Sequence, residues 1–216
     1  MGATPVELPR ILPVFALSGV LLLPGARLPL TVFEPRYLAL VDAALGAGRL
    51  FALVQPAPEG VTSGAVAGLY GTGTLARITA FGEAADGRYL ITGTGITRFR
   101  LAGEVEGRAG YRRVVAEYGP YAGDLAPAAD KPLIDRRRLM AAVGTYLSRQ
   151  GVGLDLGKLE NASDGELVTA LAMAAPLSPE EKQALLEAAT VSDRAAMMTA
   201  MFEMALLAET GHTVLH

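Results

Sequence analysis

The first half of the chain is a series of short apolar runs separated by turn residues. Residues 10–17 and 27–33 are rich in Leu, Val and Phe, and the turn Leu23-Pro24-Gly25 lies between them. Apolar runs of this length, bounded by Gly and Pro, are typical of buried β-strands. The pattern therefore predicts two strands, one on each side of this turn.

A helical pattern follows the second strand. Glu34 stands where a helix cap is expected, and Pro35 takes the first helical position, where its missing N–H has no cost. Apolar residues then recur at helical spacing until Gly46 or Gly48, either of which can end the helix. We predict one short helix between the second and third strands.

Extended runs return at residues 49–55 and continue through residues 69–118. Asp86-Gly87 between two such runs is a strong hairpin signal. The alternation at residues 98–101 predicts two arginines on one face of a strand and two apolar side chains on the other. This half therefore predicts a mostly antiparallel sheet that forms a closed or nearly closed barrel.

Beyond Pro132 the apolar period becomes helical. Leu139, Val143 and Leu147 share one stripe, and Ser163 with Glu166 and Ser178 with Glu181 have the spacing of capping boxes. A last helix is expected to begin near Ser192, with an apolar stripe of Met197, Met201, Met204 or Ala205, and Ala208. The prediction is an α+β protein in which a helical bundle follows the barrel.

The Gly- and Pro-rich stretch near residues 119–132 predicts the boundary between the two halves. We assign residues 1–122 to the barrel and residues 123–131 to a linker. Residues 132–210 are assigned to a helical subdomain packed on the barrel, and residues 211–216 to a tail.

Composition narrows the function classes. The 216 residues are 51% hydrophobic and 19% charged, which excludes a disordered chain. The net charge of −3 provides no global basic field for nucleic acid or an anionic membrane. The chain has no cysteine, which fits a reducing compartment, and Pro and Gly interrupt its longest apolar stretch. We expect a cytoplasmic protein without a membrane span.

Motifs for catalysis or cofactor binding are weak or missing. The run from Gly71 to Ala76 has the spacing of a dinucleotide fingerprint, but an extended segment follows it where a helix is required. Sheet twist, a β-bulge or close strand packing is the favoured explanation of these glycines. No phosphate-binding loop or nucleophile elbow occurs, and the two histidines, His212 and His216, lie in the last five residues. We predict no catalytic residue, no cofactor and no metal site.

Two groups of residues are binding candidates. The densest basic segment of the sheet half can follow a phosphate backbone or simply form a solvated face; its candidate anion- or RNA-binding residues are Arg98, Arg100, Arg112 and Arg113. Flexible methionines on a helix can form an adaptable apolar groove or belong to the core. With the residues around the first helix start they give the candidate polypeptide-binding set Glu34, Arg36, Tyr37, Met197 and Met201.

Residues 12–45, LPVFALSGVLLLPGARLPLTVFEPRYLALVDAAL, resemble the opening of the Lon protease amino-terminal substrate-binding domain. The resemblance continues through GLYGTG at 68–73, GRYLI at 87–91, DGEL at 164–167 and EKQALL at 181–186, and it covers roughly residues 9–209. It implies a PUA-like β-barrel followed by helices. It also implies recognition of unfolded or degron-bearing polypeptides, which in Lon serves separate ATPase and peptidase modules.

These observations predict a non-enzymatic, stand-alone polypeptide-binding module of the Lon type, because neither the ATPase nor the peptidase motifs are present. Its expected partners are exposed polypeptide segments and a protease, with weak self-association as a further expectation. An exposed apolar surface is expected at the barrel edge, near Tyr37 or on the last helix. RNA binding, as in other PUA-like barrels, and small-molecule binding are the alternatives.

Overall fold

The structure is a computed structural model that describes residues 8–59, 66–126, 134–151, 156–159 and 161–213. The chain divides into two compact units, Met1–Pro127 and Ala128–His216. Most of the predicted linker, 127–131, and the end of the predicted tail, including His216, lie outside the described residues. The two units are described separately below.

The described residues of the first unit form six strands, one α-helix and a short 3-10 helix. Helix α1 spans Pro35–Leu45, and the 3-10 helix spans Gly119–Leu125. The strands are β1 (Ile11–Ala16), β2 (Arg27–Val32), β3 (Leu50–Val54), β4 (Thr72–Glu83), β5 (Tyr89–Arg108) and β6 (Tyr111–Glu117).

These strands form one mixed sheet in the order β2-β5-β4-β3-β1-β6, with a further pairing between β5 and β6. The pairing of β1 with β3 is parallel, and the other pairings are antiparallel. Because β5 pairs with β4 and also with β6, five strands form a closed circuit, and β2 lies outside it on β5. The predicted α+β class is confirmed, although the sheet is an irregular barrel with a sixth strand attached.

The core of this unit has two parts, one on each face of β1. Leu12 and Val14 point into a cluster with Leu75 and Phe99 inside the closed circuit. On the other face, the ring of Phe15 lies 4.9 Å from that of Tyr37 on α1 and 5.2 Å from that of Phe51 on β3. Alternate positions of one strand therefore pack in two directions, as the strand period requires.

Glycines allow close contacts inside the sheet. A Cβ atom on Gly95 would lie 2.3 Å from the carbonyl oxygen of Leu23, and one on Gly73 would lie 2.7 Å from Cγ2 of Val54. Gly73 lies in β4, which continues as a strand to Glu83. Close strand packing, one of the explanations given for the 71–76 glycine run, therefore applies at Gly73.

The second unit is helical in its described part. It contains α2 (Arg136–Arg149), a 3-10 helix (Leu156–Leu159), α3 (Asp164–Ala174), α4 (Pro179–Glu187) and α5 (Val191–Thr213). Both predicted capping boxes are present, at Ser163 with Glu166 and at Ser178 with Glu181. In each box the Ser hydroxyl accepts a backbone N–H and the Glu carboxylate accepts another, which satisfies donors that a helix start leaves free.

Candidate functional site

The start of α1 holds three of the predicted polypeptide-binding residues, in two different environments. Tyr37 is buried; its hydroxyl donates to the carbonyl of Ala16 at 3.0 Å and accepts the Ala16 N–H at 3.2 Å. Arg36 and Glu34 are exposed and form an ion pair at 2.7 Å. Glu34 occupies the N-cap position of α1, as the sequence predicted; its side chain makes no cap bond, and its carboxylate binds Arg36 instead.

The alternation at 98–101 predicted a solvated face for Arg98, but the structure buries this residue. It is 5% exposed, and its guanidinium donates to both carboxylate oxygens of Asp124, at 2.8 and 2.9 Å. The backbone N–H of Arg98 donates to the same carboxylate, and the guanidinium lies 4.6 Å from the ring centre of Tyr121. Because the 3-10 helix that carries Asp124 and Tyr121 contacts β5 here, both faces of the strand are covered.

Arg100 and Arg112 each bind a carboxylate on a neighbouring strand. Arg100 donates from Nε to Glu117 at 3.0 Å, and Arg112 donates to both oxygens of Glu104, at 2.6 and 2.7 Å. The hydrogen bonds from Arg112 lower the pKa of the Glu104 carboxyl, and the same contact raises the pKa of Arg112. Each pair is partly exposed, so its contribution to stability is small.

The four arginines therefore do not form one basic surface. Arg98 is buried, two others are paired with carboxylates, and consecutive Arg112 and Arg113 point to opposite faces of β6. The Nε atom of Arg113 is buried and has no hydrogen-bond partner among the described residues. Nucleic-acid binding stays a prediction from sequence, without a continuous patch of these residues to support it.

The methionine stripe predicted on α5 is displaced by one position. The buried apolar residues described on α5 are Ala195, Met198 and Phe202, and the ring of Phe202 lies 5.1 Å from that of Tyr146 on α2. Met197 and Met201 are half-buried beside this face. The buried face of α5 thus begins at Ala195 rather than at a methionine. Apolar spacing alone does not show which of two adjacent stripes faces the core.

An exposed apolar surface lies on β2, β5 and β4. It surrounds an open depression of about 550 Å³, and we call it the β2 surface; its residues are Pro29, Leu30, Thr31, Ala80, Phe81, Gly82, Leu90, Ile91 and Thr92. Leu90 is 50% exposed on this surface. The ring of Phe81, 41% exposed, lies on the other face of the sheet, because Phe81 pairs with Ile91 and Leu90 pairs with Gly82. Phe33, directly after β2, is 66% exposed. None of the nine lining residues is charged.

Strand register explains how apolar groups reach the outside. Thr31 pairs with Leu90 and Leu90 with Gly82, while Pro29 pairs with Thr92. Leu90 and Ile91 are consecutive, so only one of them can face the core, and Ile91 does. The sequence predicted an exposed apolar surface at the barrel edge without naming its residues; the adjacent apolar residues Leu90 and Ile91 were the signal that could have found them.

Unit 2 contains a smaller cavity of about 280 Å³ between α2 and α5. Its charged lining residues are Asp135, whose carboxylate accepts the N–H of Arg138, and Arg138, which donates to Glu203 at 2.7 Å. In the part of the chain that the structure describes, no three His, Cys, Asp or Glu side chains are grouped as metal ligands. No described helix is long and apolar enough to cross a membrane.

A sheet closed through β5 and the capped helices that follow it along the chain define an α+β fold. The family model of the ATP-dependent protease La (LON) substrate-binding domain matches residues 11–203. The chain therefore belongs to the LON substrate-binding domain family. No ATPase or peptidase domain was found in it.

Solved structures agree with this assignment. A Lon N-terminal domain protein from Xanthomonas campestris is similar at a TM-score of 0.60 and 25% identity, over 88% of this chain and 97% of that one. The N-terminal domain of Mycobacterium avium complex Lon protease has the same fold, with a TM-score of 0.59, 19% identity and coverage of 89% and 98%.

One curated relative is Lon protease 2 of Myxococcus xanthus, which is 28% identical over 95 residues. The match covers 44% of this chain and 12% of that protein. The chain thus corresponds to a small part of its relative.

Proposed function

We propose that this chain is a non-enzymatic polypeptide-binding module. It recognises exposed apolar segments of unfolded or degron-bearing polypeptides and presents them to a partner such as a protease. Membership in the LON substrate-binding domain family supports this function, and its cysteine-free composition fits the cytoplasmic location that we propose with it.

The observation that carries the proposal is the β2 surface. Unfolded chains differ from folded ones in exposing apolar side chains, and an uncharged surface with half-exposed Leu90 can bury these side chains without leaving a charge unpaired. Covering the exposed half of one leucine contributes roughly 1 kcal/mol. Several such contacts are needed for stable capture.

The test is fluorescence anisotropy of labelled, reduced and carboxymethylated lactalbumin, a permanently unfolded polypeptide, titrated with the protein without nucleotide. We expect saturable binding that other unfolded chains compete away. Leu90→Ser should weaken binding by about 3- to 10-fold, because it removes apolar contact area.

Ile11→Ser is the matched control, since Ile11 is a strand residue with 49% exposure that does not line the β2 surface. The Ile11→Ser variant should bind carboxymethylated lactalbumin with the same affinity as the unaltered protein. Flat anisotropy at high protein concentration would refute polypeptide binding, and equal losses from both substitutions would refute the assignment to this surface.

A further inference from the structure

Strand β2 is a free sheet edge. It pairs with β5 on one side, and no described strand pairs with its other side. Gly95 on β5 donates to the carbonyl of Ala26 at 2.9 Å and accepts the N–H of Gly25 at 2.9 Å. Backbone groups of an antiparallel strand alternate in direction from such a bonded position. Leu28, Leu30 and Val32 therefore direct their N–H and C=O groups toward β5.

The intervening residues Arg27, Pro29 and Thr31 direct their backbone groups away from the sheet. Proline fits this position because it has no N–H and could not donate to β5 from a bonded position. The outer edge thus offers N–H donors at Arg27 and Thr31 and C=O acceptors at all three residues. One donor, in the centre, is missing.

The missing donor affects two occupants differently. A second copy that paired β2 with β2 would lack the central donor on both strands, so two hydrogen bonds would be lost. A different polypeptide, with ordinary residues opposite Pro29, loses only one, and its own N–H can still donate to the Pro29 carbonyl. Proline on an edge strand is a known defence against edge-to-edge association.

We propose that the bound polypeptide adds to the sheet as an extended strand along the outer edge of β2, and that Pro29 excludes a second copy of this chain from that edge. The inference rests on the proposed function and specifies its mode. The substrate class is an extended, unfolded segment held by backbone hydrogen bonds, with alternate side chains beside the β2 surface.

The side chains along this edge suit such a segment. Pro29 and Thr31 are uncharged and exposed, as are Ala80 and Leu90 farther along the same outer face. Arg27 begins the strand and has no ion pair with any residue that the structure describes. Recognition through backbone groups therefore tolerates many sequences, because every polypeptide carries them.

Two substitutions change the edge in opposite directions. Pro29→Thr restores the central donor and should raise affinity for carboxymethylated lactalbumin about 2- to 10-fold, the effect of one hydrogen bond. It should also produce a concentration-dependent dimer in sedimentation. Thr31→Pro removes an outward donor and should lower affinity by a similar factor.

Matched controls separate the backbone from the side chain. Thr31→Val keeps the N–H of residue 31, and Arg27→Gln keeps the N–H of residue 27 while removing its charge. Both should bind within about 2-fold of the unaltered protein if the backbone carries the contact. A large loss in Arg27→Gln would overturn the proposal in favour of charge attraction.

Amide hydrogen exchange in the unaltered protein tests the mode without any substitution. Bound lactalbumin should newly protect the amides of Arg27 and Thr31, whereas those of Leu28 and Leu30 are already bonded to β5. Binding without this alternating protection would overturn the added strand but leave polypeptide binding intact. Failure of lactalbumin to bind at all would overturn the proposed function itself.

Discussion

At the scale of single residues, Arg49 and Ala109 are the non-glycine residues with positive φ in the described part of the chain, and Ala109 lies at the tip of the β5–β6 hairpin. Arg108 pairs with Tyr111, so Ala109 and Gly110 alone form the loop, and their φ angles are +49° and +85°. Two-residue loops with both φ angles positive favour Asn or Gly at the first position. Alanine in the left-handed region carries a steric cost there.

Ala109→Asn should therefore stabilise the protein by about 0.5–1 kcal/mol, because asparagine tolerates the left-handed conformation. Denaturant unfolding measures the change. Ala85→Asn is the control, since Ala85 is an exposed alanine in the β4–β5 turn and its φ is not positive. A stabilisation as large at residue 85 as at residue 109 would contradict the strain explanation.

Tyr118 makes the stability of the protein decrease at alkaline pH. Burial raises its pKa to about 12 from an ordinary value of 10.0, and its hydroxyl donates to the carbonyl of Pro9 at 2.7 Å. A pKa raised in the folded state favours the neutral phenol there. The stabilisation is complete below about pH 10 and decreases as the pH rises toward about 12.

A phenolate absorbance titration should show one late step near pH 12 that disappears in Tyr118→Phe. The decrease in unfolding free energy between about pH 10 and 12 should also become smaller in this variant. An unchanged late step would assign it to another tyrosine.

At the scale of elements, the contact between the 3-10 helix and β5 decides which arginines of β5 are buried, which the alternation pattern could not predict. Arg98 and Arg100 are two apart in one strand and were predicted to share a solvated face. The helix covers Arg98 and leaves Arg100 exposed, with side-chain exposures of 6% and 60%. A two-residue period identifies which residues share a face; it carries no information on whether a later segment will cover it.

This contact should be costly to break from one side. Asp124→Ala leaves the buried Arg98 charge without its carboxylate and should destabilise the protein by about 3–5 kcal/mol. Glu117→Ala, which removes the partner of exposed Arg100, should cost about 0–1 kcal/mol. Thermal and denaturant unfolding compare the two, and similar losses would show that the Arg98 pair is no more than a surface ion pair.

At the scale of the whole molecule, local signals in the sequence predicted most elements. Both capping boxes, the proline at the start of α1 and the Asp86-Gly87 hairpin depend on neighbouring residues, and the structure contains each of them. The closure of the sheet depends on pairings between residues about 100 positions apart, such as Ile11 with Val115. Periodicity within a strand cannot choose such a partner.

The residues of the β2 surface escaped prediction for the same reason, although the barrel edge was one of the places where an exposed apolar surface was expected. Whether Leu90 is exposed depends on which strands flank β5, and β2 is the last strand in the order, with nothing described beyond it. The polypeptide-binding residues predicted around Tyr37 and on α5 were chosen from residue type. Tyr37 proved to be a core residue, and the exposed large apolar side chains described on α5 are Met204 and Leu207 rather than Met197 and Met201.

The late closure of the sheet also sets a schedule for synthesis. β1 needs β6 on one side, and the ribosome makes the two about 100 residues apart, which takes about 5–20 s at typical rates. During that interval Leu12 and Val14, both almost fully buried in the finished protein, belong to a strand with an unpaired edge. Each nascent copy therefore passes through the kind of unfolded state that this protein is proposed to bind. The yield of folded protein in the cell depends on how well aggregation of the nascent chain is prevented during that interval.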